Sequence, residues 1–434
     1  MHLFRVFWAH RDFRLLMVGT VLTNLTMPAQ FISMTFWAVD AYPGQKVLVS
    51  SLIVAVRGVG MLGSSLVGGA IADRFERRKV LLCCEAASAA LTALLAFCMI
   101  VMPFGDATIV AVLAVVFLAA ANMAIDGPSR SASIPAVVRP DEMGSAIGLN
   151  NIAQQMTFPI ILPFVGFLNG TIGPGKVVAA SLLTWVLILP IIASLRYSSR
   201  HLARRTSDAG FVSDIREGLR YTRRDATIFA AIGMIVVMQV VGMPGVGMLG
   251  PVWMTDVLGL SRAEFGWIAM LWGLGALVSS VVFAMLSRAP RRGLSLVAMV
   301  VLFGVCGIVF GHSRIVWLTA AANFGLGFAM TGALVTAITI TQYTVAEEMR
   351  GRVMGLFPLV MGFSMLSVGP VGVGGQRLGL ELVVPTLEWA ALGLAVFITL
   401  VAPGLRRVRP AVAMPGPQPH GQPAAAPGPS RSGP

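Results

Sequence analysis

The basic residues of this chain are sorted by loop parity. Twelve apolar stretches of about 19–28 residues follow one another along the 434 residues, with short loops between them. Each is long enough to cross a ~30 Å hydrocarbon core as a helix. They lie near 13–39, 48–71, 80–103, 107–126, 144–169, 177–196, 227–251, 264–287, 294–312, 315–338, 353–376 and 383–403. With the loops assigned alternately to two sides, all but six of the 32 Lys and Arg fall in the N-terminal segment, in the loops on its side and in the C-terminal tail. Lys46, Lys176, Arg262, Arg314 and Arg377 fall in the alternate loops, and Arg57 falls inside the second stretch. A soluble fold has no reason to sort charge in this way. An inserted helical bundle does, because cytoplasmic loops retain Lys and Arg. Open strands are excluded, since they leave backbone groups unpaired in lipid. The expectation is an all-α integral membrane protein of twelve transmembrane helices in the plasma (inner) membrane, with both termini cytoplasmic.

Composition agrees. Apolar residues make up 56% and charged residues 12%, against roughly 25% charge in soluble domains, and the mean hydropathy is +0.82. The net charge of +13 does not imply nucleic acid, because the Arg are spread over short loops that face anionic lipid. Cys83, Cys84, Cys98 and Cys306 all lie in apolar stretches without metal-ligand spacing to His, and read as small buried hydrophobes. No Ser/His/Asp order, metal cluster or phosphate-binding Gly loop before a Lys is present. Neither a cofactor nor an enzyme activity is expected. The N-terminus lacks a small-residue cleavage site, so the first stretch is read as a mature span.

The chain divides into two halves. Residues 1–196 form one six-helix bundle, 197–225 a cytoplasmic linker, 226–404 a second bundle and 405–434 a Pro-rich tail without the composition for a core. In the linker Phe211, Ile215 and Leu219 recur every four residues with Arg216, Arg220 and Arg223 off that stripe, the pattern of an amphipathic interfacial helix. A shift of 207 residues lays Pro140–Leu149 over Glu347–Leu356 and Pro163 over Pro370. Such duplication is frequent in secondary transporters.

The loop between the second and third stretches reads Gly69-Ala-Ile-Ala-Asp73-Arg74-Phe-Glu76-Arg77-Arg78. It resembles the signature of the major facilitator superfamily, Gly-x-Leu-x-Asp-Arg-x-Gly-Arg-Arg/Lys, with Glu76 in place of the second Gly. Further stretches narrow the resemblance: Asp126-Gly-Pro-Ser-Arg130, Asp214-Ile-Arg-Glu-Gly-Leu-Arg-Tyr221, Pro251-Val-Trp and Glu347-Glu-Met-Arg350-Gly-Arg352. Together they are similar to the branch that includes the bacterial enterobactin exporter and its drug-efflux relatives. The resemblance implies two pseudo-symmetric six-helix bundles and alternating access. It also implies a cytoplasmic latch in which Asp73 meets the N-terminus of the eleventh helix, a favourable place for a carboxylate. The expected latch comprises Gly69, Asp73, Arg74, Arg77, Arg78, Glu85, Asp126, Arg130, Glu347, Arg350 and Arg352. Export of an amphipathic or hydrophobic molecule, drug-like or siderophore, is what the resemblance implies. An importer or facilitator, or a non-transporting receptor or assembly protein, is the alternative. The expected partners are that small molecule, the bilayer and protons, with the chain monomeric. The fourth stretch lacks an internal Arg and the fifth lacks the glycines of many drug–proton antiporters, so the usual proton-coupling residues are missing.

Arg57 lies about 10 residues into its stretch, ~15 Å deep. A charge at that depth costs at least ~2.5 kcal/mol and calls for a cavity or a partner. Two readings stay open: a cavity cation that meets an anionic group, and a structural Arg satisfied by carbonyls. Gln30, Gln154, Gln155, Gln239 and Asn323 complete the expected cavity set, with bonding between helices as the alternative. Asp40, Asp106, Asp256, Glu264, Glu381 and Glu388 are read as solvated near outer ends, and no carboxylate is placed at mid-membrane. Gly60 and Ser64, and Gly275 and Ser279, are spaced for close helix approach and are read as surfaces that slide when the halves rock. Met243-Pro244-Gly245 is expected to break the seventh stretch.

Overall fold

The computed structural model describes residues 2–196, 211–286 and 292–406, with their side chains except at 2–5, 65–74, 155, 211–212 and 406. All described secondary structure is helical. The first half contains α1 (His2–Ala9), α2 (Arg11–Ala41), α3 (Lys46–Arg74), α4 (Arg77–Ile100), α5 (Asp106–Ser133), α6 (Met143–Thr171), and α7 (Pro174–Ala180) continued by α8 (Leu182–Ala193). The linker helix α9 (Phe211–Arg224) leads into α10 (Ala226–Val236), which runs on through α11 (Gly250–Val252). Then follow α12 (Arg262–Met285), α13 (Arg292–His312), α14 (Val316–Thr344), α15 (Glu347–Met354) with α16 (Leu356–Leu378), α17 (Leu380–Val401) and α18 (Pro403–Arg406). Eleven described spans are long and apolar enough to cross a membrane. The twelfth crossing is α10 with its continuation to Val257. The chain is a twelve-helix, two-bundle membrane protein.

Local chemistry sets the boundaries. α12 starts on a capping box in which Ser261 and Glu264 satisfy each other's backbone donors. α10 starts on Asp225, whose carboxylate accepts from the amides of Thr227 and Ile228 at 2.8 and 3.1 Å. The chain bends by 114° there, so α9 leaves the membrane axis as the linker pattern requires. Ile215 of its stripe packs with Tyr221 beside Val353 and Leu356. Beyond α10 the helix becomes π-helical at Val237–Gly242, Pro244–Met248 and Trp253–Val257. The break expected at Pro244 is therefore spread over three loosened turns. α5 outlasts its predicted end at 126 by two turns, because Asp126 and Arg130 are paired inside the bundle. Arg130 thus belongs to the fourth crossing, which the sequence places without an internal Arg.

The halves meet along two seams, α3 with α16 and α6 with α12. Glycines permit the approach. A Cβ at Gly266 would lie 2.7 Å from the Leu162 carbonyl oxygen and 3.1 Å from the Gly166 Cα. One at Gly58 would lie 2.9 Å from the Met365 Cβ. Gly60 and Gly275 are not on these seams. Gly60 abuts the Phe117 carbonyl on α5 and Gly275 abuts Phe324 on α14, each inside its own half. They fix the bundles and do not slide. Gly60→Leu and Gly275→Leu are expected to cost about 1–3 kcal/mol by overpacking, seen as a lower melting temperature of the purified protein. Gly105→Ala, with nothing within 4 Å of the added carbon, should melt like the parent.

Candidate translocation site

A cavity of about 220 Å³ lies between the halves. Met27, Met243, Met248, Met254, Met361 and Met365 line it, and its principal polar groups are Arg57 and Asn323. Thioethers are polarizable and flexible, so such a wall adapts to irregular apolar shapes. It shares the walls Phe158, Met243, Trp272 and Met361 with a second space of about 1030 Å³ between α6, α12 and α14. That space reaches Arg292 and Ser295, at the face that carries most of the Lys and Arg. We refer to this as the basic face.

At the opposite face the halves are clasped. Lys46 pairs with Asp256 at 2.6 Å. Arg262 pairs with Asp40, donates to the Asn169 carbonyl at 3.1 Å and lies 5.1 Å over the Phe36 ring. Phe36 meets Phe265 edge to face at 5.4 Å. Gln376 donates to the Gly44 carbonyl at 2.8 Å. Each contact joins one half to the other. Asp40 is exposed, as the sequence reading has it, whereas the side chain of Asp256 is 20% exposed, and both hold cations of the other half. A signal was available, because Lys46 and Arg262 are two of the five basic residues on that face and stand at helix ends beside these acids. Partly exposed pairs contribute roughly 0.2–1 kcal/mol each, enough to bias a two-state equilibrium of a few kcal/mol and too little to lock it.

Of the expected latch residues, Arg77, Arg78, Glu347, Arg350 and Arg352 lie at the basic face. The side chains of Gly69, Asp73 and Arg74 fall outside the described residues. Arg77 donates to the Ala132 carbonyl and Arg78 to the Ala193 carbonyl, both at 2.5 Å and both within the first half. Glu76 is extended at φ −60° and ψ 116°, so the turn does not require the missing glycine. Glu347 and Arg350 are exposed. Arg352 pairs with Asp214 at 2.8 Å and Glu217 at 3.0 Å, which ties α15 to the linker helix.

Glu85, Asp126 and Arg130 form one buried group. Glu85 is 1% exposed and pairs with Arg130, which also reaches Asp126 at 3.3 Å. Sequence alone places Glu85 within reach of Arg78 or Lys79. The structure gives it Arg130, because the longer α5 carries that guanidinium into the bundle. Glu85 lies eight residues into α4, ~12 Å along it, so a carboxylate does stand deep in the membrane. Glu85 and Asp126 line a polar recess of about 70 Å³ together with Gln30, Thr92 and Arg57. Gln30 donates to Thr92 at 2.8 Å. Arg57 lines both this recess and the central cavity. Its nearest polar contact is the Met123 sulfur at 3.5 Å. No ion pair involving it is present among the described residues.

The other predicted cavity residues divide. Asn323 lines the cavity but gives its amide to the Ile268 carbonyl at 2.7 Å. Gln154 lines the larger space. Gln239 is 4% exposed and packs behind the wall, with its backbone carbonyl accepting from Ser364. The Gln155 side chain is outside the described residues. Glu388, read as solvated, is fully buried, and neither carboxylate oxygen has a hydrogen-bond partner among the described residues. Its helix packs against the bundle on the face that carries it, which hydropathy does not reveal.

Two bundles joined by glycine seams, with a cavity at their boundary, have the architecture of a membrane transporter. The Major Facilitator Superfamily model matches residues 44–370, and the chain belongs to that family. It is 24% identical over 409 residues to the uncharacterized MFS-type transporter YkuC of Bacillus subtilis, covering 90% of this chain and 91% of that protein. It is 27% identical over 375 residues to the multidrug efflux pump Tap of Mycobacterium tuberculosis, with 83% and 84% covered. It is 20% identical over 403 residues to macrolide efflux protein A of Streptococcus pyogenes, with 90% and 95% covered. Among solved structures, a mutant of the nucleoside transporter NupG superimposes with a TM-score of 0.73 at 11% identity, covering 91% and 99%. A bacterial homologue of the iron transporter ferroportin in its inward-facing state gives 0.70 at 15%, covering 90% and 98%.

Reversing one charge of the clasp, Lys46→Asp, is expected to raise alkylation of a single cysteine placed at Val39 by severalfold. Adding Asp256→Lys should return the rate to that of the parent. The check is maleimide labelling in membranes with the native cysteines replaced.

Proposed function

We propose that this chain is an exporter that moves an amphipathic or hydrophobic small molecule by alternating access. The basic face is cytoplasmic in this reading, and the conformation is inward-facing. The observation that carries it is the methionine-lined cavity between the halves, clasped at the opposite face and sharing four wall residues with a larger space toward the basic one. An apolar cargo gains ~25 cal/mol per Å² on burial there, and flexible walls accept several shapes. Tap and macrolide efflux protein A are named as efflux proteins, which supports the direction. Arg57 supplies the charged contact, because its guanidinium faces both recess and cavity without a carboxylate partner. Expected latch residues such as Asp73 and Arg74 would close the basic face when the clasp opens.

Cells that express the protein should accumulate less of at least one dye or macrolide from a broad amphipathic panel than cells that lack it. Equal accumulation across the panel, at verified expression, overturns export. Arg57→Ala at equal expression is expected to lower transport. For an anionic cargo the loss of ~1.5–3 kcal/mol corresponds to about a ten- to hundredfold weaker interaction. Neutral cargo should be affected less. Unchanged transport of every cargo would make Arg57 structural.

A further inference from the structure

Glu388 occupies a place that the transport reading leaves unexplained. It lies eight residues into α17, ~12 Å along the helix axis. It is 0% exposed, and neither carboxylate oxygen has a hydrogen-bond partner among the described residues. Two glycines make room for it. A Cβ at Gly307 of α13 would overlap the carboxyl group, and one at Gly242 would stand 3.5 Å from Oε2. The Phe303 ring closes the slot, 2.7 Å from that same added carbon. The elements packed against α17 are α13, α16, the seventh crossing and α18, whose Arg406 side chain lies outside the described residues. Their titratable or charged residues, with those of α17 itself, are Arg292, Cys306, His312, Arg377 and Glu381. None is bonded to Glu388 among the described residues. His312 bonds the Ile308 carbonyl at 2.9 Å, and Glu381 pairs with Arg314 at 3.2 Å.

An ionised carboxylate left unpaired in an apolar slot is too costly to persist. A neutral acid is tolerated there. Gly242 ends the first π-helical segment, and the next residue, Met243, lines the central cavity. π-Helical turns are loosened backbone and recur at functional positions. Charging Glu388 therefore requires water, or movement of the turn that bears Met243.

We propose that Glu388 is a proton-carrying site, coupled through the π-helical turn at Gly242 to the state of the central cavity. The proposal rests on the transport reading and adds its driving ion. The step is a proton transfer without redox chemistry. A carboxylate oxygen forms an O–H bond with a proton from water on one side, and the bond breaks to release it to water on the other.

Two measurements on the full chain in lipid test this, and neither needs a cargo. The first is infrared difference spectroscopy of the protonated carboxyl stretch at neutral pH. The band is expected in the parent and absent in both Glu388→Gln and Glu388→Leu. The leucine variant fills the slot without any polar group, so it serves if the glutamine variant misfolds. The second is alkylation of the cysteine at Val39 beneath the clasp, as a function of pH. A severalfold change across the titration is expected in the parent and a flat profile in the variants. A parent without the band, or variants that retain it, overturns the site. A band that disappears while the pH profile stays unchanged overturns the coupling. Failure of the efflux panel with both results intact would refute export and leave the proton site standing.

Discussion

Arg262 holds the two bundles together. It stands at the first turn of α12, where its guanidinium reaches Asp40, the Asn169 carbonyl and the Phe36 ring of the other half. Directly beneath, Gly166 and Gly266 bring α6 and α12 to backbone distance. This contact draws the two halves together at the face opposite the basic one. Lipid supplies no hydrophobic force between helices, so packing and polar bonds carry the association. The seams supply much of the packing, and the ion pairs supply direction, because they engage only when the ends of α2, α3, α10–α11 and α12 converge.

Charge inside the membrane follows the same economy. Glu85, Asp126 and Arg130 share one site and neutralise most of their own field. Arg57 shares a recess with two of them and pairs with neither. In the proposed function that charge is the one that meets the cargo. Glu388 is tolerable by the opposite device, an apolar slot in which only the neutral acid is comfortable. One half carries paired charges near the central cavity, and the other carries a lone acid behind a loosened helix. The asymmetry lies within two otherwise similar bundles.

Much of this was legible in the sequence, and the omissions have physical causes. Twelve crossings, the division into halves and the amphipathic linker follow from hydropathy and charge parity, since membrane insertion acts on those properties directly. The long α5 did not follow, because a window of hydropathy ends at Asp126 although pairing with Glu85 continues the helix to Ser133. Gly60 and Gly275 were visible as small residues, but spacing does not reveal which neighbour a small face meets. The pairing of Asp40 and Asp256 did not follow, because their partners are more than 200 positions distant in the chain. Glu388 looked like an end residue, because its helix begins only eight residues earlier. Arg57 was legible from its depth alone.

In the proposed transport cycle the bundles are clasped at one face and parted at the other, and the two faces exchange these states. Spin labels at Pro43 and Gly259 report the clasped face, and labels at Arg139 and Glu347 report the basic face. Pulsed dipolar distances in lipid should show one short, narrow population for the first pair and a longer one for the second. A transported dye should exchange the two patterns. A long or broad distance at the clasped face of the resting protein, or patterns that no transported compound alters, would contradict the account.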